Sequence, residues 1–275
     1  MKARPLFRHL LNAAIGALVL SNATAAQLPV FDVHIHYNQD MWESIPPERA
    51  AQRLRAAGIV RAMVSSTSDE GTQKLYRADP KLIVPALGPY RKRIDRYRWI
   101  HDESVIPYLK RRLAGHRYAA IGEFHIRDEQ TDLPVVRAVV QLARKHHLLM
   151  HVHSDAGAIE RIFDQYPEAR ILWAHAGFEP ADKVRQTMAR HKNLWADLSI
   201  RWEIFEDGRF KPGWKALLTD YSDRFMLGVD TYKPMRWVMI KETIDWYESM
   251  FAELPPEAAQ RIRYDNAERV IGKAL

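Results

Sequence analysis

The stretch FDVHIHYN, residues 31–38, places His34 and His36 two apart, with Asp32 two positions before the first. In an extended strand successive side chains alternate faces, so Asp32, His34 and His36 are predicted on one side and Phe31, Val33 and Ile35 on the other. Two imidazoles on one side of a strand can close on a single metal ion. An isolated pair of this kind is more often a surface or hydrogen-bonded pair, so its meaning depends on what the rest of the chain provides.

Outward from that strand the sequence repeats one plan. Short apolar, β-branched runs recur at Val30–Tyr37, Ile59–Ser65, Leu82–Leu87, Ala119–His125, Leu148–His153, Ile171–Ala176, Leu194–Ile200 and Phe225–Asp230. Helical patterns fall between and after them: Pro46–Ala57, Val105–Leu113, Leu133–His147, Ala158–Gln165, Pro180–His191, Trp214–Tyr221, Met235–Phe251 and Pro256–Ile271, with Thr67–Asp79 the least regular. Alternation of strands and helices implies right-handed βαβ units and a parallel sheet. No glycine-rich phosphate loop follows the first strand, which argues against a dinucleotide-binding sheet.

Residues 1–26 differ in kind. A basic start (Lys2, Arg4, Arg8) precedes an apolar run of 11 residues from Leu10 to Leu20 and then small residues. This reads as a cleaved signal peptide and predicts a periplasmic or secreted protein. Spanning a bilayer takes about 20 apolar residues, so an uncleaved anchor is the lesser alternative. Removing 26 residues from 275 leaves 249, close to the ~250 typical of a (β/α)₈ TIM barrel. The predicted organisation is therefore a signal peptide (1–26) and a single barrel domain (27–275).

Cysteine is absent, so any metal must be held by His, Asp or Glu. Losing three cations and no acid with the signal lowers the net charge from +7 to +4, which does not argue for nucleic acid. Homo-oligomer formation stays open.

In a barrel of this kind the chemistry sits at the C-terminal strand ends. There the sequence places His34 and His36 on the first strand and Glu123 and His125 on the fourth. It places His151, His153 and Asp155 on the fifth, His175 on the sixth and Asp230 on the eighth. Histidines scattered through a core would not gather at one end of four strands. Imidazoles and carboxylates converging at a barrel mouth suit a divalent ion, Zn²⁺ or Mn²⁺.

These pieces, DVHIH, GEFH, HVHSD, WAHAG and GVDTY, with a closing YDNAERVIG, resemble the amidohydrolase superfamily and within it the amidohydrolase-2 branch. The resemblance implies His34 and His36 as metal ligands, His153 as the fifth-strand ligand and Asp230 as both ligand and proton acceptor. It implies His175 as ligand to a second ion or as the group polarising substrate or water. Where many relatives carry a carboxylated lysine, this chain has Glu123, which either bridges two ions or orients a ligand histidine. The number of ions, one or two, is open. His151, one layer deeper, reads as a hydrogen-bonded structural histidine. Asp32 reads as a supporting group, and Asn266 as a helix cap or tie.

The segment GPYRKRIDRYRW (88–99) follows the third strand with five cations and one acid, and Arg201 and Trp202 follow the seventh. Arg91, Arg201 and Trp202 are the expected substrate contacts, since arginine suits carboxylate or phosphate and aromatic walls suit an apolar body. Polyanion or membrane-surface binding by the 88–99 loop is the competing view. The predicted activity is metal-dependent hydrolysis of an amide, ester or lactone in a small anionic molecule. A non-oxidative decarboxylase on the same barrel is the first alternative, and an inactive metal- or ligand-binding barrel the second.

Overall fold

The computed structural model describes residues 28–272, so the expected signal peptide lies outside the described residues. Eight strands form one parallel sheet in the order β1-β2-β3-β4-β5-β6-β7-β10. They are β1 (Val30–Ile35), β2 (Ile59–Val64), β3 (Ile83–Leu87), β4 (Ala120–His125), β5 (Leu149–His153), β6 (Ile171–Trp173), β7 (Leu194–Asp197) and β10 (Phe225–Met226). The sheet curls until its ends meet. Val33 N–H donates to Leu227 O (3.0 Å) and Asp230 N–H to His34 O (2.6 Å), joining the last strand segment to the first. The result is the expected (β/α)₈ TIM barrel.

The connecting helices are α1 (Pro47–Ala56), α2 (Asp69–Ala78), α3 (Val105–Gly115), α4 (Pro134–Lys145), α5 (Ala156–Gln165), α6 (Ala181–Arg190) and α7 (Trp214–Asp220). The chain closes with α8 (Pro234–Val238), α9 (Ile240–Phe251) and α10 (Pro256–Gln260). Proline opens α1, α4 and α8, where its missing N–H costs nothing. Asp155 caps α5, its carboxylate accepting from Ala158 N at 2.9 Å.

Several elements depart from expectation; the seventh and eighth strands, for instance, stop at Asp197 and Met226 rather than Ile200 and Asp230. The helix read over Met235–Phe251 breaks at Met239 into α8 and α9, and that over Pro256–Ile271 relaxes after Gln260 into wider turns. The sixth strand stops at Trp173 rather than Ala176, because His175, Ala176 and Gly177 all take left-handed backbone (φ 57°, 47° and 66°). A short antiparallel hairpin, β8 (Phe205–Glu206) with β9 (Arg209–Phe210), turns on Asp207 and Gly208. Both turn residues have φ > 0, as tight hairpins require.

Two apolar layers hold the barrel. The larger lies between sheet and helices. The smaller collects Phe31, Val33, Met63, Val84, Leu149, Leu172, Trp195 and Met226 from strands all around the sheet, which only the barrel interior can do. The C-terminal Ala267, Val270 and Ile271 close its floor. Asn266 ties that tail on, its amide donating to Ser222 O (2.7 Å) and Phe225 O (2.9 Å). With the floor packed, the opposite mouth is left for polar groups.

Candidate metal centre

The first strand brings His34 and His36 together despite two register shifts against β2 that interrupt simple alternation. Their Nε2 atoms stand 3.1 Å apart. What each ring does with its other nitrogen fixes this. His36 Nδ1 faces the Ser65 carbonyl oxygen, His175 Nδ1 lies 2.9 Å from Ser199 O, and His34 Nδ1 lies 3.2 Å from Asp197 Oδ2. Each of these oxygens can only accept, so Nδ1 carries a proton and Nε2 is turned into the mouth as a ligand atom.

Glu123 stands between the imidazoles. Its Oε2 lies 3.3 Å from His36 Nε2 and 3.5 Å from His34 Nε2, while Oε1 lies 2.9 Å from His153 Nδ1 and 3.6 Å from His175 Nε2. Asp230 closes the ring, with Oδ1 3.4 Å from His36 Nε2 and 3.7 Å from His34 Nε2, and Oδ2 4.0 Å from His175 Nε2. His34, His36 and Asp230 form one group able to hold an ion; His34, Glu123 and His175 form another, and Glu123, His125 and His153 a third.

The electrostatics call for a cation. Two Nε2 lone pairs at 3.1 Å repel unless something positive lies between them. In the metal-free protein a proton does this: burial works against charge on His36, but Asp230 and Glu123 outweigh it and hold its pKa at about 9. His34 is raised well above its ordinary value by the same balance, burial opposed by Asp230, Glu123 and Asp197. Burial likewise fails to neutralise the acids, since the surrounding histidines hold Glu123 well below the carboxylate range and Asp230 below it. Asp230 Oδ1 is buried with no hydrogen-bond partner. An orphaned carboxylate oxygen facing imidazole nitrogens fits a hard or borderline divalent ion.

The support beneath these groups escaped the sequence reading. Asp197, fully buried at the end of β7, lies with Oδ2 also 3.0 Å from His151 Nε2, while Oδ1 accepts from His175 N (3.2 Å) and Ser199 N (3.0 Å). Burial and the charge on His34 push the His151 pKa down to about 4, so His151 is neutral; with His34 and Asp197 it forms a further group able to hold an ion. Asp32 accepts from His34 N (2.9 Å) and Val229 N (3.1 Å) and, as expected, supports rather than enters the site. Ser65 Oγ accepts from Glu123 N at 3.0 Å. Tyr90, expected only as an aromatic loop residue, is buried with its hydroxyl 2.8 Å from both N and Nδ1 of His125. The only signal for Asp197 was an acid ending the apolar run LWAD at the mouth.

The expected substrate contacts lie away from the cavity beside the site. Arg91 turns back into its own loop, its guanidinium donating to Asp95 (3.1 Å), Ser104 (2.7 Å) and Asp102 (2.5 Å). Arg201 is 3% exposed and donates to His175 O (2.8 Å) and Glu179 O (3.0 Å). Trp202 packs edge-on against Trp246 at 4.8 Å. None of the three lines the cavity of about 530 Å³ that opens beside the site. Its lining includes His36, Glu123 and His125 on the strand side, with Lys92, Arg93 and Arg96 from the loop after β3.

Fold and site together define a TIM barrel with a histidine–carboxylate centre at its C-terminal mouth. The chain belongs to the amidohydrolase family, whose model (described as Amidohydrolase) matches residues 31–273. Among solved structures, an uncharacterised TIM-barrel protein of Bordetella bronchiseptica aligns at TM-score 0.65 and 13% identity, over 90% of this chain and 99% of that one. A putative 2-pyrone-4,6-dicarboxylic acid hydrolase of Pseudomonas putida aligns at 0.60 and 14%, over 90% and 99%. A TatD homologue of Escherichia coli K12 aligns at 0.58 and 17%, over 88% and 98%. At these identities the likeness is one of fold. No curated protein matches the chain.

Proposed function

We propose that this chain is a metal-dependent hydrolase that cleaves an amide, ester or lactone in a small anionic molecule, and that it works after export and signal removal. One observation carries the reading: the two oxygens of Glu123 are divided between His34/His36 and His153/His175, with Asp230 Oδ1 buried beside them without a hydrogen-bond partner. His34, His36, Asp230 and Glu123 would hold one ion, and Glu123, His153 and His175 a second. Zn²⁺ or Mn²⁺ there supplies Lewis acidity, acidifying water and polarising a carbonyl.

The protein's own groups do the rest. Asp230 stays ionised at neutral pH and takes up the proton of the attacking water at its carboxylate. Asp197 and the Ser65 and Ser199 carbonyls hold the Nδ1 proton of three imidazoles in place, so Nε2 is the nitrogen each ring offers once any proton there has left. His175, fixed from behind, faces the reacting carbonyl. Lys92, Arg93 and Arg96 at the cavity have no ion-pair partner among the described residues and would meet the substrate's anionic group. The putative dicarboxylic acid hydrolase of P. putida is in keeping with such a substrate.

Protein purified without chelators should contain a divalent metal, and a panel of anionic amides, esters and lactones should be hydrolysed in a metal-dependent way. Release of CO₂ from aromatic or unsaturated acids without any hydrolysis would replace this reading with a decarboxylase. Metal uptake with no turnover would leave a binding barrel.

A further inference from the structure

Of the three arginines buried among the described residues, two lie behind the site. Arg201, after β7, is 3% exposed and lies with its guanidinium 4.6 Å from the Trp214 ring. Arg236, on α8, is 8% exposed and lies 5.2 Å from the Trp202 ring. Burying a guanidinium is costly unless its donors are satisfied, and neither spends them mainly on a carboxylate. Arg201 donates to the carbonyls of His175 (2.8 Å) and Glu179 (3.0 Å), its Nε meeting the exposed Glu203. Arg236 donates to the carbonyls of Asp230 (3.2 Å) and Val229.

One carbonyl of each pair belongs to a site residue whose backbone is strained. His175 and Asp230 sit in the left-handed region (φ 57° and 58°), which is unfavourable for a non-glycine residue and persists only where surroundings impose it. Each strained residue thus has one buried arginine on its carbonyl, and each arginine rests on an indole. Trp202, which carries Arg236, directly follows Arg201 in the chain. One dipeptide after β7 therefore braces both turns.

We propose that Arg201 and Arg236 are positioning residues that hold His175 and Asp230 in ligating orientation through their main chains. This rests on reading the site as a metal centre. The loss of such supporting groups typically lowers metal affinity about 10–100-fold.

Arg263 provides the control. It is also buried (4% exposed) and also lies over an aromatic ring, 4.9 Å from Phe251, but it pairs with Glu248 away from the mouth. Zn²⁺ affinity, from competition with a chromogenic chelator, and thermal melting of the metal-free form would be measured on Arg201→Met, Arg236→Met and Arg263→Met. All three should melt lower. Only the first two should lose about 10–100-fold in Zn²⁺ affinity per folded molecule, and Trp202→Leu should act like Arg236→Met. Arg201→Lys, which can reach only one of the two carbonyls, should recover part of the loss. Should Arg201→Met or Arg236→Met fail to fold, Trp202→Leu and Arg201→Lys are read instead. Wild-type affinity in the site variants, or an equal loss in Arg263→Met, overturns the positioning role while leaving the metal centre standing. A wild-type chain that takes up no Zn²⁺ overturns the metal centre and the positioning role with it.

Discussion

Nδ1 of His34 lies 3.2 Å from Oδ2 of Asp197, with both side chains closed off from solvent. The same oxygen faces His151, so one buried charge serves two rings. An asparagine has one acceptor oxygen, so its NH2 must face either the two imidazole N–H groups on Oδ2 or the His175 and Ser199 main-chain N–H groups on Oδ1. Asp197→Asn should lower Zn²⁺ affinity about 10–100-fold, read by chelator competition, with the far-UV spectrum unchanged. Unaltered affinity would reduce Asp197 to a packing residue.

Replacing His34 and His36 together by alanine should reduce bound metal to a trace by elemental analysis. The melt should stay cooperative but move to lower temperature, because Glu123, Asp230 and Asp197 lose the cations that face them. A full equivalent of metal in the double variant removes both histidines from the ligand set.

Asp230→Asn keeps an oxygen at the site but cannot take a proton from water. General acid–base assistance is worth about 10²–10⁴-fold, so kcat should fall within that range while most of the metal stays on the histidines. Turnover normalised to metal-loaded protein checks this. A variant within a few-fold of wild type would transfer the role to His175.

Metal uptake should be coupled to protons. In the metal-free protein His36 titrates at about 9, above its ordinary 6.5, so at pH 7 it holds a proton that a cation must displace. Zn²⁺ binding at pH 7 should therefore release protons in calorimetry across buffers of different ionisation enthalpy, and affinity should rise towards pH 9. The stability linkage has the opposite sign. A raised histidine pKa stabilises the folded metal-free form fully below about 6.5, and that stabilisation is lost as pH rises through about 9. The metal-free melting temperature should fall across this window. A flat profile with no proton release contradicts the assigned charge state.

The export reading places the mature N-terminus at Ala26 or Gln27 in the periplasmic fraction. Amino-terminal sequencing of the protein from fractionated cells decides it, and an intact Met1 chain in the cytoplasm would count against cleavage.

Strand positions and the histidine–carboxylate set were legible because each depends on local pattern: an apolar run, then a polar residue at its end. The turn at His175 was not. His175 and Ala176 take left-handed backbone with the His175 carbonyl held by Arg201, 26 residues further along the chain, and WAHAG shows only one glycine to suggest it. Asp207-Gly208 is a hairpin signal, but flanking strands of two residues are too short to show the alternation that would support it. The cations of the 88–99 loop were visible, but their directions were not. Asp95 and Asp102 take Arg91 inward and leave Lys92, Arg93 and Arg96 to the cavity.

The seam of the barrel is also where its chemistry is assembled. Asp230 N–H bonds the carbonyl of His34, and Thr231 Oγ1 accepts from His36 N (2.9 Å) and donates to His36 O (2.8 Å). The first ligands made and the last therefore meet only when the final strand segment docks. A nascent or truncated chain that ends before Asp230 has neither a closed sheet nor a complete ligand set. On the proposed function, loading of the Asp230-containing site would follow completion of the chain, and an ion bound across the seam would act as a latch. Stripping it should loosen the junction of first and last strands before any other part of the barrel.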